Sequence, residues 1–221
     1  MVIREAVVAT RSQGKLGELR PLFAAHGIDV VDLEAAGLLE SPDEESLEAH
    51  DTFEGNALAK ARYFFQLTGQ PTFADDSGLV VDALGGQPGV HSKRWSGRDD
   101  LRGVALDDEN NRLLLDRLRG VADRSAHYVC VAAYVDARQA LTARGEVHGR
   151  VIDRGSGQNG FGYDPYFFAD ELGCTFGDAS REVKERVSHR GRAFRGLLAA
   201  LESGHARGEA GASGAASVDR D

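Results

Sequence analysis

A chain of 221 residues with 42% hydrophobic content can bury one good core, either as a single large domain or as two closely joined lobes. Its formal net charge of -9 argues against nucleic-acid polymers, whose affinity comes mostly from many basic contacts to phosphate, but leaves room for a mononucleotide in a local basic pocket. Cys130 in an apolar run and Cys174 in a Gly-rich loop make neither a disulfide framework nor a metal-spacing pattern, and no stretch reads as a leader or a membrane span, so a cytoplasmic protein with no membrane partner is expected.

Val2 to Thr10 reads as a buried strand and Gly14 to His26 as a helix, with Leu16, Leu19, Leu22 and Phe23 at helical spacing. The loop between them, Thr10-Arg11-Ser12-Gln13-Gly14-Lys15, sets hydroxyls, a glycine and a lysine at a helix N-terminus, where free N–H groups and the helix dipole favour an anion. The same residues also fit a capped helix start with an exposed lysine. Ile28 to Leu33 reads as a second strand, and Ser41-Pro42-Asp43-Glu44-Glu45 as a polar loop with Glu48 at its end. The helix near Thr52 to Leu67 keeps Phe53, Ala57, Ala61 and Phe64 on one face. Asn56 and Lys60, four apart, share another, either as a polar pair at a site or as a solvated surface.

The central stretch is Phe73-Ala74-Asp75-Asp76-Ser77-Gly78-Leu79-Val80-Val81, where two adjacent carboxylates sit on an apolar strand. Neighbouring side chains of a strand point to opposite faces, so one carboxylate can be structural while the other enters a cleft. A carboxylate there can hold a divalent metal and take a proton from water, although these residues taken alone read first as a plain Asp-Asp-Ser-Gly turn. Asp82 to Gly97 is too rich in Gly and Pro for regular structure and too long for a simple turn.

Asp107 to Leu118 reads as a helix, His127 to Val135 and Leu141 to Val151 as paired strands, and Tyr166 to Ala169 as a further strand. Before that last strand, Gly155-Ser156-Gly157-Gln158-Asn159-Gly160-Phe161-Gly162-Tyr163-Asp164-Pro165 delivers an aromatic and a carboxylate on a loop. Phe161 can stack on a base there, or pack into the core beneath the loop. Arg181 to Arg195 is locally basic, with Lys184 and Ser188-His189-Arg190 opening the last helix, and the Gly, Ala and Ser content from Gly204 onward predicts a disordered tail over 204–221.

Six segments, in order, resemble the inosine triphosphate pyrophosphatase family: Ala9-Thr10 through Lys15, Thr52-Phe53 with Asn56-Ala57 and Lys60-Ala61, Ala74 through Leu79, Leu84-Gly85-Gly86 with Pro88-Gly89, Phe161 through Pro165, and Ser188-His189-Arg190-Gly191. The resemblance runs from about Val2 to Leu201 and implies an α/β fold, a long twisted mixed sheet with flanking helices forming two lobes around a nucleotide cleft over 1–203. It implies Mg²⁺-dependent hydrolysis of ITP, dITP and XTP to the monophosphate and pyrophosphate, by a protein that is usually a homodimer.

Residue by residue, the resemblance makes Asp76 the general base and Glu48, with Asp75 or Asp76, the support for Mg²⁺. Thr10, Ser12, Lys15, Asn56 and Lys60 fall at triphosphate-contacting positions, with Ser77 beside them. Phe161, Gly162, Tyr163, Asp164, Lys184, Ser188, His189 and Arg190 fall where the family holds the base. Arg190 and N–H groups near Ser188-His189 would be the donors that meet a six-keto oxygen. Ser12 replaces the usual Asn of the first loop and Lys93 replaces a small residue. Two rivals remain: a related pyrophosphatase preferring pyrimidine or modified nucleotides, and a nucleotide-binding sensor.

Overall fold

A computed structural model describes residues 3–212. Strand β1 (Glu5–Val8) leads into helix α1 (Gln13–Ala25), and strand β2 (Asp29–Asp32) follows. A 3-10 helix (Pro42–Glu48) precedes helix α2 (Phe53–Thr68) and the long strand β3 (Thr72–Val81). Helix α3 (Gly103–Arg117), strands β4 (Ser125–Val135) and β5 (Ala140–Val151), the short strands β6 (Phe167–Ala169) and β7 (Cys174–Thr175), and helices α4 (Arg181–Val187) and α5 (His189–Ala212) complete the chain.

The strands form one mixed sheet in the order β2-β1-β3-β4-β5-β6-β7. Strand β1 runs parallel to both neighbours, whereas every pair from β3 outward is antiparallel. Because β2 and β3 lie on opposite sides of β1, right-handed crossovers put α1 and α2 on opposite faces of the sheet. The core records this. Ala6, Val8, Phe73, Cys130 and Tyr134 pack against Leu16, Leu19 and Phe23 of α1 and Phe194 and Leu197 of α5. Val7, Ala9, Ala74, Val131 and Ala133 pack against Phe53, Ala57, Ala61 and Phe64 of α2. A third cluster joins Leu79 and Val81 to Leu114 and Leu118 of α3 and to Phe167 and Phe176.

Strand β1 stops at Val8, which is paired with Phe73, so β3 runs on past the end of its parallel neighbour. Asp75 and Asp76 therefore lie at the carboxyl edge of β1, where the first loop turns into α1. In open α/β sheets this edge, at a reversal of strand order, is where ligands bind.

Several elements differ from the sequence expectation. The acidic stretch after Ser41 is a 3-10 helix rather than a loop, because Ser41 and Glu44 form a reciprocal capping box with Pro42 at the first helical position. The Gly- and Pro-rich stretch from Asp82 folds into two 3-10 turns, Asp82–Leu84 and Gly89–Arg94, around a cis Gln87–Pro88 bond. The basic stretch from Arg181 is two helices broken at Ser188. Helix α5 continues to Ala212, past the tail boundary expected at Gly204, through the helix formers Ala206, Arg207, Glu209 and Ala210. Residues 213–221, the rest of the expected tail, lie outside the described residues.

Candidate active site

The pleat of β3 sends the two carboxylates apart. Asp75 points with Phe73 and Ser77 towards α1 and α5, where Lys15 Nζ sits 3.0 Å from its Oδ2 and Arg190 Nε donates to the same oxygen over 3.3 Å. The thiol of Cys130, which pairs with Ser77 on the neighbouring β4, lies 3.8 Å from it. Asp76 points with Ala74 towards α2, where Asn56 Nδ2 donates to Oδ2 over 2.9 Å and Lys60 Nζ lies 3.5 Å from Oδ1. Asn56 cannot turn its amide around, since its Oδ1 accepts the His50 N–H at 2.9 Å.

The surroundings drive the two carboxyls in opposite directions. Burial alone would raise Asp75, but Lys15 and Arg190 outweigh it and hold the group well below the usual carboxylate range. At Asp76 burial wins over Lys60, Lys15 and the Asn56 bond, and with Glu48 adding its negative charge the carboxyl is raised. A pair pushed apart in this way separates a charge-holding carboxylate from a proton acceptor.

The first loop is built on the start of α1. Ser12 caps the helix by accepting the Lys15 N–H at 3.3 Å, and Thr10 Oγ1 accepts the Ser12 N–H at 3.2 Å. Capping turns the first helical turn towards the carboxylates with the positive end of its dipole foremost. Arg11 clamps the loop from outside, donating to Glu44 and to the Leu38 carbonyl. The same 3-10 helix delivers Glu48, whose Oε1 accepts from Lys60 at 3.0 Å and whose Oε2 lies 3.2 Å from Arg94. Burial would raise Glu48, but Lys60 chiefly, with Lys15 and Lys93, holds it at about 2. Lys93 is itself exposed and reaches the site only through its field.

The second group of expected residues meets the first through Glu18 of α1. Lys184 Nζ lies 2.8 Å from Glu18 and 2.6 Å from Asp164, and Arg190 bonds Glu18, Asp75 and Ser77 Oγ with its three nitrogens. The Phe161 ring is 5.2 Å from Lys184 Nζ and lies over Gly14, where an added Cβ would come within 2.6 Å of the ring, so only glycine fits at that point of the first loop. Lys15 and Arg190 thus meet at Asp75, Arg190 and Lys184 meet at Glu18, and Lys60 stands at Asp76 on the other face of β3.

Other expected substrate contacts are turned inward. Tyr163 donates its hydroxyl to the Ser92 carbonyl at 2.8 Å, Asp164 accepts the Phe161 N–H at 2.8 Å, and Ser188 Oγ accepts the Gly191 N–H at 3.0 Å. His189 stacks on Tyr128 with ring centroids 4.5 Å apart, and its Nδ1 is buried with no partner. Burial, helped by Arg190, pushes this imidazole well below its ordinary range, so it is neutral. Glu18, Arg94 and the Arg11–Glu44 pair were missed by the sequence reading. Glu18 had a signal, because it stands three residues after Lys15 and so shares its helix face.

The carboxylates fit a hard divalent cation, which takes oxygen ligands. Lys60 already marks a cation position between Glu48 and Asp76, while Asp75 lies on the other face of the strand. Among the described residues no three His, Cys, Asp or Glu groups could hold a metal between them. Magnesium is usually bound by one or two carboxylates together with substrate phosphates, which a Glu48–Asp76 pair satisfies.

The parallel edge of the sheet thus carries a capped loop, two carboxylates on opposite faces, the buried cations Lys60, Lys184 and Arg190, and the half-buried Lys15, groups of the kind that can hold a phosphorylated ligand. The chain belongs to the Ham1 family, which matches residues 6–200. It is 42% identical over 204 residues to a dITP/XTP pyrophosphatase of Bordetella parapertussis, covering 91% of this chain and 92% of the relative. It is 44% identical to a dITP/XTP pyrophosphatase of Ralstonia nicotianae, covering 90% and 97%. Among solved structures, the Ham1 protein of Coxiella burnetii superposes with a TM-score of 0.78 at 32% identity, covering 91% of this chain and all of that one. The Staphylococcus aureus Ham1 protein gives 0.75 at 34%, covering 90% and 98%.

Proposed function

We propose that the protein hydrolyses deaminated purine nucleoside triphosphates, ITP, dITP and XTP, to the monophosphate and pyrophosphate. The observation that carries the mechanism is that Asp75 and Asp76 face opposite sides of one strand, Asp75 against Lys15 and Arg190 and Asp76 against Asn56 and Lys60. Asp76, raised by burial and held in place by Asn56, takes the proton of the attacking water. Lys15 and Lys60 swing from their carboxylates onto the β- and γ-phosphates and neutralise charge developing on the leaving pyrophosphate. Asp75, ionised, holds the Lys15 ammonium and the Arg190 guanidinium in place. Magnesium, held by Glu48 and Asp76, would supply further neutralisation of the triphosphate when bound.

The base subsite is the segment Phe161 to Asp164 with Lys184 and Ser188 to Arg190. Arg190 spends all three nitrogens on Glu18, Asp75 and Ser77, so it reads a keto oxygen only by giving up one of these bonds. That observation keeps a second reading open, the same chemistry on a pyrimidine or modified nucleotide. Phosphate-release profiling of ITP, XTP and dITP against ATP, GTP and pyrimidine triphosphates, with pyrophosphate detection, tests it. Preference for ITP and XTP supports the first reading, and preference for a pyrimidine triphosphate supports the second.

The assembly is a homodimer and the compartment the cytoplasm, in keeping with two free cysteines. No described helix is long and apolar enough to cross a membrane. Light scattering on the eluting protein measures the assembly.

A further inference from the structure

Helix α3 lies outside the carboxylate cluster, and none of the residues assigned above belongs to it. Two of its side chains, one helical turn apart, nevertheless converge on a single residue of the base-holding segment. Asp107 Oδ2 accepts the Gly162 N–H at 2.9 Å, and Asn111 Nδ2 donates to the Gly162 carbonyl at 2.9 Å. Gly162 has φ +63, a conformation that other residues rarely adopt, and it follows Phe161 directly. On its other side Tyr163 is pinned to Ser92. The neighbouring Asn110 of α3 holds that same 3-10 turn, donating to the Lys93 carbonyl at 3.0 Å and accepting the Ser96 N–H at 2.8 Å.

We propose that Asp107 and Asn111 are positioning residues for base recognition: their clamp on Gly162 sets where the Phe161 ring stands over the first loop. The proposal rests on the reading of Phe161 as the base-stacking residue. A backbone held at both its N–H and its C=O cannot rotate about that peptide pair without losing a bond, so the ring beside it keeps one seat. The pair is matched in sense. Gly162 offers one donor and one acceptor, an ionised Asp only accepts, and only the amide of Asn111 can donate to the carbonyl. Asn111 is buried and its Oδ1 has no partner, so packing and the single Nδ2 bond hold it.

The sense of the bonds gives the test. Asp107→Ala removes the acceptor, and Asn111→Asp keeps the shape but sets an acceptor against the Gly162 carbonyl. Asp107→Asn keeps an oxygen that can accept the same N–H. Steady-state kinetics on ITP, with inhibition constants for IMP and for inorganic pyrophosphate, separate the base subsite from the phosphate subsite. Losing one such bond should raise KM for ITP and the inhibition constant of IMP about tenfold in both disruptive variants. Pyrophosphate inhibition and kcat should stay within about twofold, since neither depends on the base. Asp107→Asn should recover part of the lost affinity. A parallel rise in both inhibition constants, or a lowered melting temperature with neither changed, overturns the proposal and leaves the clamp a purely structural one. Absence of ITP turnover in the wild-type protein would instead overturn the functional reading on which the proposal rests.

Discussion

Asp75 and Asp76 are adjacent in sequence, lie on opposite faces of β3 and are driven in opposite directions, Asp75 towards permanent ionisation and Asp76 towards the neutral form. On the proposed reading, one peptide bond separates a structural anion from a proton acceptor. Each role follows from which helix covers that face of the strand.

The two residues should therefore fail differently when neutralised. Asp76→Asn removes a group whose ionised form costs folding energy, because a carboxyl raised in the folded state contributes instability once the pH exceeds that pKa. The variant should melt at or above the wild-type temperature, with kcat lower by about 10²–10⁴-fold from loss of the base. Asp75→Asn leaves Lys15 and Arg190 without their shared counter-ion and should lose about 3–5 kcal/mol of stability. Thermal melts beside single-turnover kinetics distinguish them, and equal melting temperatures for the two variants would contradict the division of roles.

Glu18 sets an acid-stability prediction. Burial would raise its carboxyl, but Arg190 and Lys184 outweigh burial and hold it at about 2, against an ordinary 4.5. Its contribution is thus fully present above pH 4.5 and is lost as the pH falls towards 2. A shift of that size corresponds to about 3 kcal/mol. Urea midpoints measured down the acid range should fall less steeply for Glu18→Gln than for wild type, from a lower starting value. Parallel acid limbs in the two proteins would show that Glu18 titrates alike folded and unfolded.

Much of this architecture was legible in residue patterns. Leu16, Leu19, Leu22 and Phe23 place α1 on the sheet by spacing alone, and the alternation at Asp75-Asp76 foretold that the two carboxylates face opposite ways. What pattern could not supply is partnership across distance. Whether Arg190 faces a base or a carboxylate depends on α5 packing beside α1, and the Glu18 bonds to Lys184 and Arg190 span most of the chain. Tyr163 and Asp164 carry polar groups suited to a ligand, yet their bonds to Ser92, Phe161 and Lys184 serve the loop itself. The capping box at Ser41 and Glu44 was readable, and its acidic composition masked it as a loop.

The core makes a plain stability prediction. Phe73 is fully buried, with ring centroids of Phe23 at 4.7 Å and Tyr134 at 4.8 Å, and it lies two residues before Asp75 on β3. Phe73→Ala should lose about 3–5 kcal/mol through lost contacts and the cavity left behind. Chemical denaturation measures it, and a loss below about 1 kcal/mol would mean that the three-ring cluster is not the anchor of this end of β3.

Removal of residues 204–221 keeps Leu197, Leu198 and Leu201, the buried side chains by which α5 joins the core. We propose that turnover and melting temperature survive this truncation within error. A fall of many degrees in the melting scan would place a stabilising contact beyond Ser203.

The most direct test of the pyrophosphatase assignment is phosphorus NMR of ITP turnover in water enriched with heavy oxygen. Attack at the α-phosphorus, with Lys15 and Lys60 holding the leaving phosphates as one unit, predicts inosine monophosphate carrying the isotope and unlabelled pyrophosphate. Release of labelled orthophosphate with inosine diphosphate would contradict it.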